Sequence, residues 1–107
     1  MGRKISILIV DDEESVRDSL FNWFIEDDYN VKCAEDAKKA LSILESEDYD
    51  IILADIKMPG MDGMEMLKRI KAIKKDAIVI IMTAFATIDT AVQALKDGAY
   101  DYVTKPF

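Results

Sequence analysis

Histidine is absent from the chain, and that one gap removes imidazole triads, imidazole metal sites and imidazole proton shuttles together. Any chemistry must run on carboxylates, hydroxyls and amines, with a hard metal ion as helper. Cysteine is nearly absent. Cys33 stands alone, so no internal disulfide supports the fold and a cytoplasmic setting is expected. In the strand-like run Asn30 to Ala34 it reads as a small buried thiol. No apolar run approaches the length of a membrane span. Positive charge is in deficit: the formal net charge is -7, which argues against direct nucleic-acid contact, because neutralising phosphates needs a basic face. At 107 residues, 50% of them hydrophobic, one domain with a single modest core is expected.

Two hydrophobic periods alternate along the chain. Short apolar runs at Ile5 to Val10, Asn30 to Ala34, Asp50 to Ala54, Ile78 to Met82 and Ala99 to Thr104 read as strands. Between them lie helical stripes: Val16, Leu20, Trp23 and Phe24; Ala37, Ala40, Leu41 and Leu44 behind an Asp36 N-cap; Met66, Leu67, Ile70 and Ile73 after an Asp62-Gly63 turn. The last stripe is Ile88, Ala91, Val92 and Leu95, opened by Thr87 or Thr90 and closed by Gly98. Phe21 and Ile25 point away from the first stripe and are expected to be exposed. The order βαβαβαβαβ with short connections predicts an α/β fold, a doubly wound parallel five-stranded sheet with helices on both faces.

The strand ends carry the chemistry. The first apolar run stops at Asp11 and Asp12, the third at Asp55, the fourth at Thr83 and the last at Lys105. Open α/β sheets bind ligands in the crevice outside the carboxyl ends of their strands. Carboxylates converging there repel one another unless a cation sits among them. Oxygen-only ligands point to a hard ion, and Mg2+ suits one or two carboxylates plus waters and a phosphate. A lysine ammonium and a threonine hydroxyl beside the ion would stabilise charge on a phosphoryl group moving onto Asp55. The plain alternative, acids favouring the start of the Glu14 helix, accounts for Asp11 and Asp12 but not for Asp55.

Asp11-Asp12-Glu13, Asp55-Ile56-Lys57-Met58-Pro59-Gly60-Met61-Asp62-Gly63, Thr83-Ala84 and Lys105-Pro106-Phe107 resemble the receiver (response-regulator) domains of two-component signalling, most like those of sigma-54-dependent, NtrC-type activators. The resemblance runs over essentially the whole chain. It implies a flavodoxin/CheY-like sheet of order 2-1-3-4-5 and a phosphorylation switch rather than an enzyme. Asp55 would accept a phosphoryl group from a sensor histidine kinase, with Asp12, Asp55 and the Lys57 backbone carbonyl on Mg2+ and Asp11 acting through water. Thr83 and Lys105 would contact phosphoryl oxygens, Lys105-Pro106 would be a cis bond, and Thr83 with Tyr102 would form the switch. Neither Lys57 nor Phe85 is suited to position an attacking water, which implies a long-lived phosphoryl group. An output domain of AAA+ ATPase and DNA-binding type and a homodimer are the implied partners. Residues 1–107 then read as a receiver domain truncated before its fifth helix. Two other classes fit less well. A haloacid dehalogenase-type phosphohydrolase wants a second acid two residues after the nucleophile, where this chain has Lys57. A flavodoxin-like cofactor binder wants a Gly/Ser/Thr-rich phosphate cradle after the first strand, where it has acids.

Overall fold

The structure, a computed structural model, describes residues 4–56, 63–84 and 86–105. Strand and helix alternate as β1 Ser6–Val10, α1 Glu14–Glu26, β2 Asn30–Ala34, α2 Ala37–Ser46, β3 Ile51–Asp55, α3 Gly63–Ile73, β4 Ile78–Thr83, α4 Ile88–Lys96 and β5 Asp101–Thr104. The strands form one parallel sheet in the order β2-β1-β3-β4-β5, the doubly wound arrangement expected.

Handedness decides where the helices lie. Crossovers between parallel strands are right-handed, and the step from β1 to β2 runs across the sheet opposite to the steps from β2 through β5. Helix α1 therefore lands on one face and α2, α3 and α4 on the other. The period of two along each strand sorts the core to match. Leu8, Val10, Ile52, Ala54, Val79 and Ile81 join the inward residues of α2, α3 and α4 in the larger cluster. Ile7, Ile9 and Met82 join Leu20 of α1, with Val16 and Phe24 packed alongside.

Local chemistry sets the element ends. The Asp36 carboxylate accepts the Lys39 N–H at 2.8 Å, and Thr87 and Thr90 form a reciprocal capping box at the start of α4. Gly98, at φ 106°, supplies the left-handed residue that turns α4 into β5. At the end of α3, Lys71 donates from Nζ to the carbonyls of Lys75 at 2.7 Å and Ala77 at 2.8 Å. Both carbonyls belong to the connection between α3 and β4, so one side chain ties that loop back onto its helix.

Several inward positions expected from periodicity are wrong. Trp23 is 55% exposed, its ring stacked 6.0 Å from Phe24, while Leu20 takes the buried position. Phe21 is half-buried instead of exposed, and Ile25 is exposed as expected. Ile88, Val92 and Leu95 of α4 face outward and Ala94 is the buried residue. There the contact is made by a small side chain, which a hydrophobicity pattern ranks below its larger neighbours. Ile73, on the last turn of α3, is exposed too. Cys33 is half-buried because β2 lies at the sheet edge, and burial pushes its thiol pKa up despite nearby Arg17. The expectations for Lys57, Met58, Met61, Phe85 and the Lys105-Pro106 bond lie outside the described residues.

Candidate functional site

The reversal of winding falls between β1 and β3, and that is where the acids gather. Val10 pairs with Ala54, so the next residues, Asp11 and Asp55, emerge side by side at the carboxyl edge. Both are buried, at 0% and 3% exposure. Across β3 and β4, Asp55 pairs with Met82, which puts the buried Thr83 one residue further along. Thr83 pairs with Thr104, and the Lys105 N–H donates to the Thr83 carbonyl at 2.8 Å.

Lys105 closes the arrangement. Its Nζ donates to Asp11 Oδ2 at 2.6 Å and to Asp55 Oδ2 at 2.8 Å, and its side chain is only 10% exposed. Burial lowers the ammonium pKa, but hydrogen bonds to and charges on the two carboxylates outweigh it, and the net shift is upward. Asp11 is fixed by further contacts. Its Oδ1 accepts the Glu13 N–H at 2.9 Å, its carbonyl accepts Arg17 Nη1 at 2.7 Å, and its N–H donates to the Ala34 carbonyl at 3.2 Å. With its backbone fixed at both polar groups and its carboxylate at one oxygen, Asp11 keeps its place while charge changes beside it.

Asp11, Asp12, Glu13 and Asp55 place carboxylate oxygens within 4.8 Å of one another. Asp12 and Glu13 are exposed. Among the described residues, four carboxylates face one ammonium, and the donors are all hard oxygens, so the set fits a divalent ion such as Mg2+. Glu13 joins the acids that the strand ends name, and its signal in the sequence is its place as the third consecutive acid after β1.

Gly63 positions the floor of the site. Its N–H donates to the Ile56 carbonyl at 2.7 Å. A Cβ there would collide with the Asp55 carbonyl oxygen and come within 2.5 Å of Ile56 Cα. Only glycine lets the start of α3 press this closely on the end of β3. Tyr102 is half-buried against the larger core cluster, its hydroxyl 2.6 Å from Thr90 Oγ1. The sequence offered Thr90 only as a helix start. Among the described residues no helix is long and apolar enough to cross a membrane.

Residues 7–107 match the response regulator receiver domain family. The regulatory protein AtoC of Escherichia coli K12 is 45% identical over 101 residues, covering 94% of this chain and 22% of AtoC; the chain thus spans less than a quarter of that relative's length. The beryllofluoride-activated NtrC4 receiver domain dimer superposes with a TM-score of 0.91 at 36% identity, covering 95% of this chain and 84% of that one. A Burkholderia pseudomallei response regulator holding a phosphorylated aspartic acid, a calcium ion and citrate gives a TM-score of 0.93 at 30% identity, over 97% of this chain and 61% of that one. With its sheet order and strand-end acids, this chain belongs to the response regulator receiver domains of two-component systems and is homologous to those of NtrC-type activators.

Proposed function

We propose that this domain is a phosphorylation switch in which Asp55 takes a phosphoryl group from a phosphohistidine on a sensor kinase. The observation that carries the reading is the Lys105 ammonium bridging two buried carboxylates, Asp11 and Asp55, at the rim where the winding reverses. An Asp55 oxygen attacks phosphorus, a P–O bond forms, and the P–N bond to the leaving imidazole breaks. Lys105 stays beside the accepting carboxylate and offers its charge to a phosphoryl oxygen, and Thr83 offers its hydroxyl to another. Asp12, Asp55 and the Lys57 carbonyl would hold Mg2+, with Asp11 acting through water and Glu13 at the margin. When bound, the ion neutralises the acids and the incoming phosphate oxygens, which otherwise repel. Phosphoryl transfer is mostly positioning and electrostatics, and the preset contacts of Asp11 supply the positioning.

Thr83 and Tyr102 would carry the change outward to an output domain, an AAA+ ATPase with a DNA-binding module, acting in the cytoplasm. AtoC and its like are several times longer than this chain, which leaves room for such a domain. Ile88, Val92, Leu95 and Tyr100 form an exposed apolar surface on α4 and the turn after it, suited to a second copy or to the output domain. The NtrC4 receiver forms a dimer when activated. The test is incubation with acetyl phosphate and Mg2+ followed by intact mass. One phosphoryl group should be gained, and it should vanish with excess chelator and in Asp55→Asn. Equal labelling in either case overturns the reading.

A further inference from the structure

We infer that Thr90 is the positioning residue that holds Tyr102 packed onto the sheet, so that the α4 N-cap and the β5 aromatic move as one unit. This rests on the switch reading above and names the residue through which α4 enters it. Thr90 Oγ1 has one hydrogen to give and two lone pairs to fill. Its polar neighbours are the Thr87 N–H at 3.2 Å, the Thr87 carbonyl at 3.1 Å, Thr87 Oγ1 at 2.9 Å and the Tyr102 hydroxyl at 2.6 Å. The Thr87 N–H takes one lone pair. The hydroxyl hydrogen and the other lone pair are shared among the Thr87 carbonyl, Thr87 Oγ1 and the Tyr102 hydroxyl, of which Tyr102 is the nearest at 2.6 Å.

The other side of the contact is equally specific. Tyr102 lies on β5, beside Ile81 of β4, and its ring packs against the larger core cluster. Turning the ring outward breaks its bond to Thr90, the shortest of the four polar contacts that hydroxyl makes. Thr90 therefore favours the inward ring, the orientation that, by the resemblance to receiver domains, accompanies a Thr83 hydroxyl drawn to the phosphoryl group. By linkage, whatever favours that orientation raises affinity for a phosphoryl group or its mimic by the same factor. Loss of one hydrogen bond of this kind corresponds to about a 2- to 10-fold change in that affinity.

The experiment uses the domain labelled with fluorotyrosine, with the Tyr102 resonance assigned by its loss in Tyr102→Phe, and titrates beryllofluoride with Mg2+. Thr90→Val should move the Tyr102 signal toward its solvent-exposed value and raise the midpoint by about 2- to 10-fold. Thr90→Ser, which keeps the hydroxyl, should restore both. Thr87→Ala weakens the cap without removing the Tyr102 partner, so it should lower the melting temperature while leaving the Tyr102 signal in place. Tyr102→Phe should shift the midpoint as Thr90→Val does, and the double variant no further; this pair decides the matter even if Thr90→Val folds poorly. An unmoved Tyr102 signal in folded Thr90→Val, or additive midpoint shifts in the double variant, would overturn the inference. Failure of the wild type to gain a phosphoryl mass would overturn the switch reading instead, while the signal comparison still judges the contact.

Discussion

Replacing Lys105 with methionine removes the cation that bridges two buried acids while keeping most of the side chain's bulk. In the wild type the Lys105, Asp11 and Asp55 side chains are 10%, 0% and 5% exposed, so the ammonium and both carboxylates are largely shielded from bulk solvent. Breaking a buried ion pair by deleting one partner costs about 3–5 kcal/mol, because a charge is left buried without compensation. Here two buried carboxylates lose the same ammonium at once, so a loss within that range is expected. Against a typical domain stability of about 5–15 kcal/mol, the variant should lose a large share of its stability at neutral pH without a divalent ion. Mg2+ should rescue it, since an ion at 100 times its dissociation constant adds about 2.7 kcal/mol to whichever state binds it. Urea unfolding of both proteins with and without Mg2+ measures this directly. A loss below about 1 kcal/mol, or a Mg2+ effect no larger in the variant than in the wild type, would refute the electrostatic account of the site.

Gly63→Ala should lose about 1–3 kcal/mol in denaturant melts and weaken Mg2+ binding, because the new Cβ meets backbone, not a yielding side chain. Burial and a 2.8 Å hydrogen bond to Glu47 push the Tyr49 phenol up to about 12; the folded state holds that proton longer than the unfolded one, so stability should fall as pH rises from about 10. Glu47→Gln should bring the Tyr49 titration down, still above 10.0 because desolvation remains, and an unchanged ultraviolet titration would contradict this. Ile25→Glu on exposed α1 should slow transfer from the cognate kinase and spare labelling by acetyl phosphate; loss of both would mean a folding defect.

The sheet was legible because its signals are local and redundant. Apolar runs of strand length, each ending on a polar group, placed all five strands within about two residues. Asp11, Asp55 and Lys105 could be listed from strand ends alone, and parallel pairing then brings strand ends to one rim. Side-chain direction was harder to read. Trp23, Ile88, Val92 and Leu95 were assigned inward because large apolar residues dominate a periodic pattern, yet Leu20 and Ala94 are the residues buried on those helices. Burial follows fit against the sheet, which a one-dimensional pattern does not record. The double duty of Lys71 and the link from Thr90 to Tyr102 were illegible for a related reason. Each depends on a hydrogen-bond partner on another element, and composition names the donor without saying where it will land.

The central claim is that Asp55, and no other residue, carries the phosphoryl group. Its most direct test is to label the domain with acetyl phosphate and Mg2+, reduce with borohydride, and sequence the peptides by mass spectrometry. An acyl phosphate on aspartate is reduced to homoserine, whereas a phosphoserine or phosphothreonine is left unreduced. Homoserine at position 55 alone, absent when the phosphodonor is omitted, is the result this account predicts. Homoserine at Asp11 or Asp12, or phosphate surviving on Thr83, would contradict it.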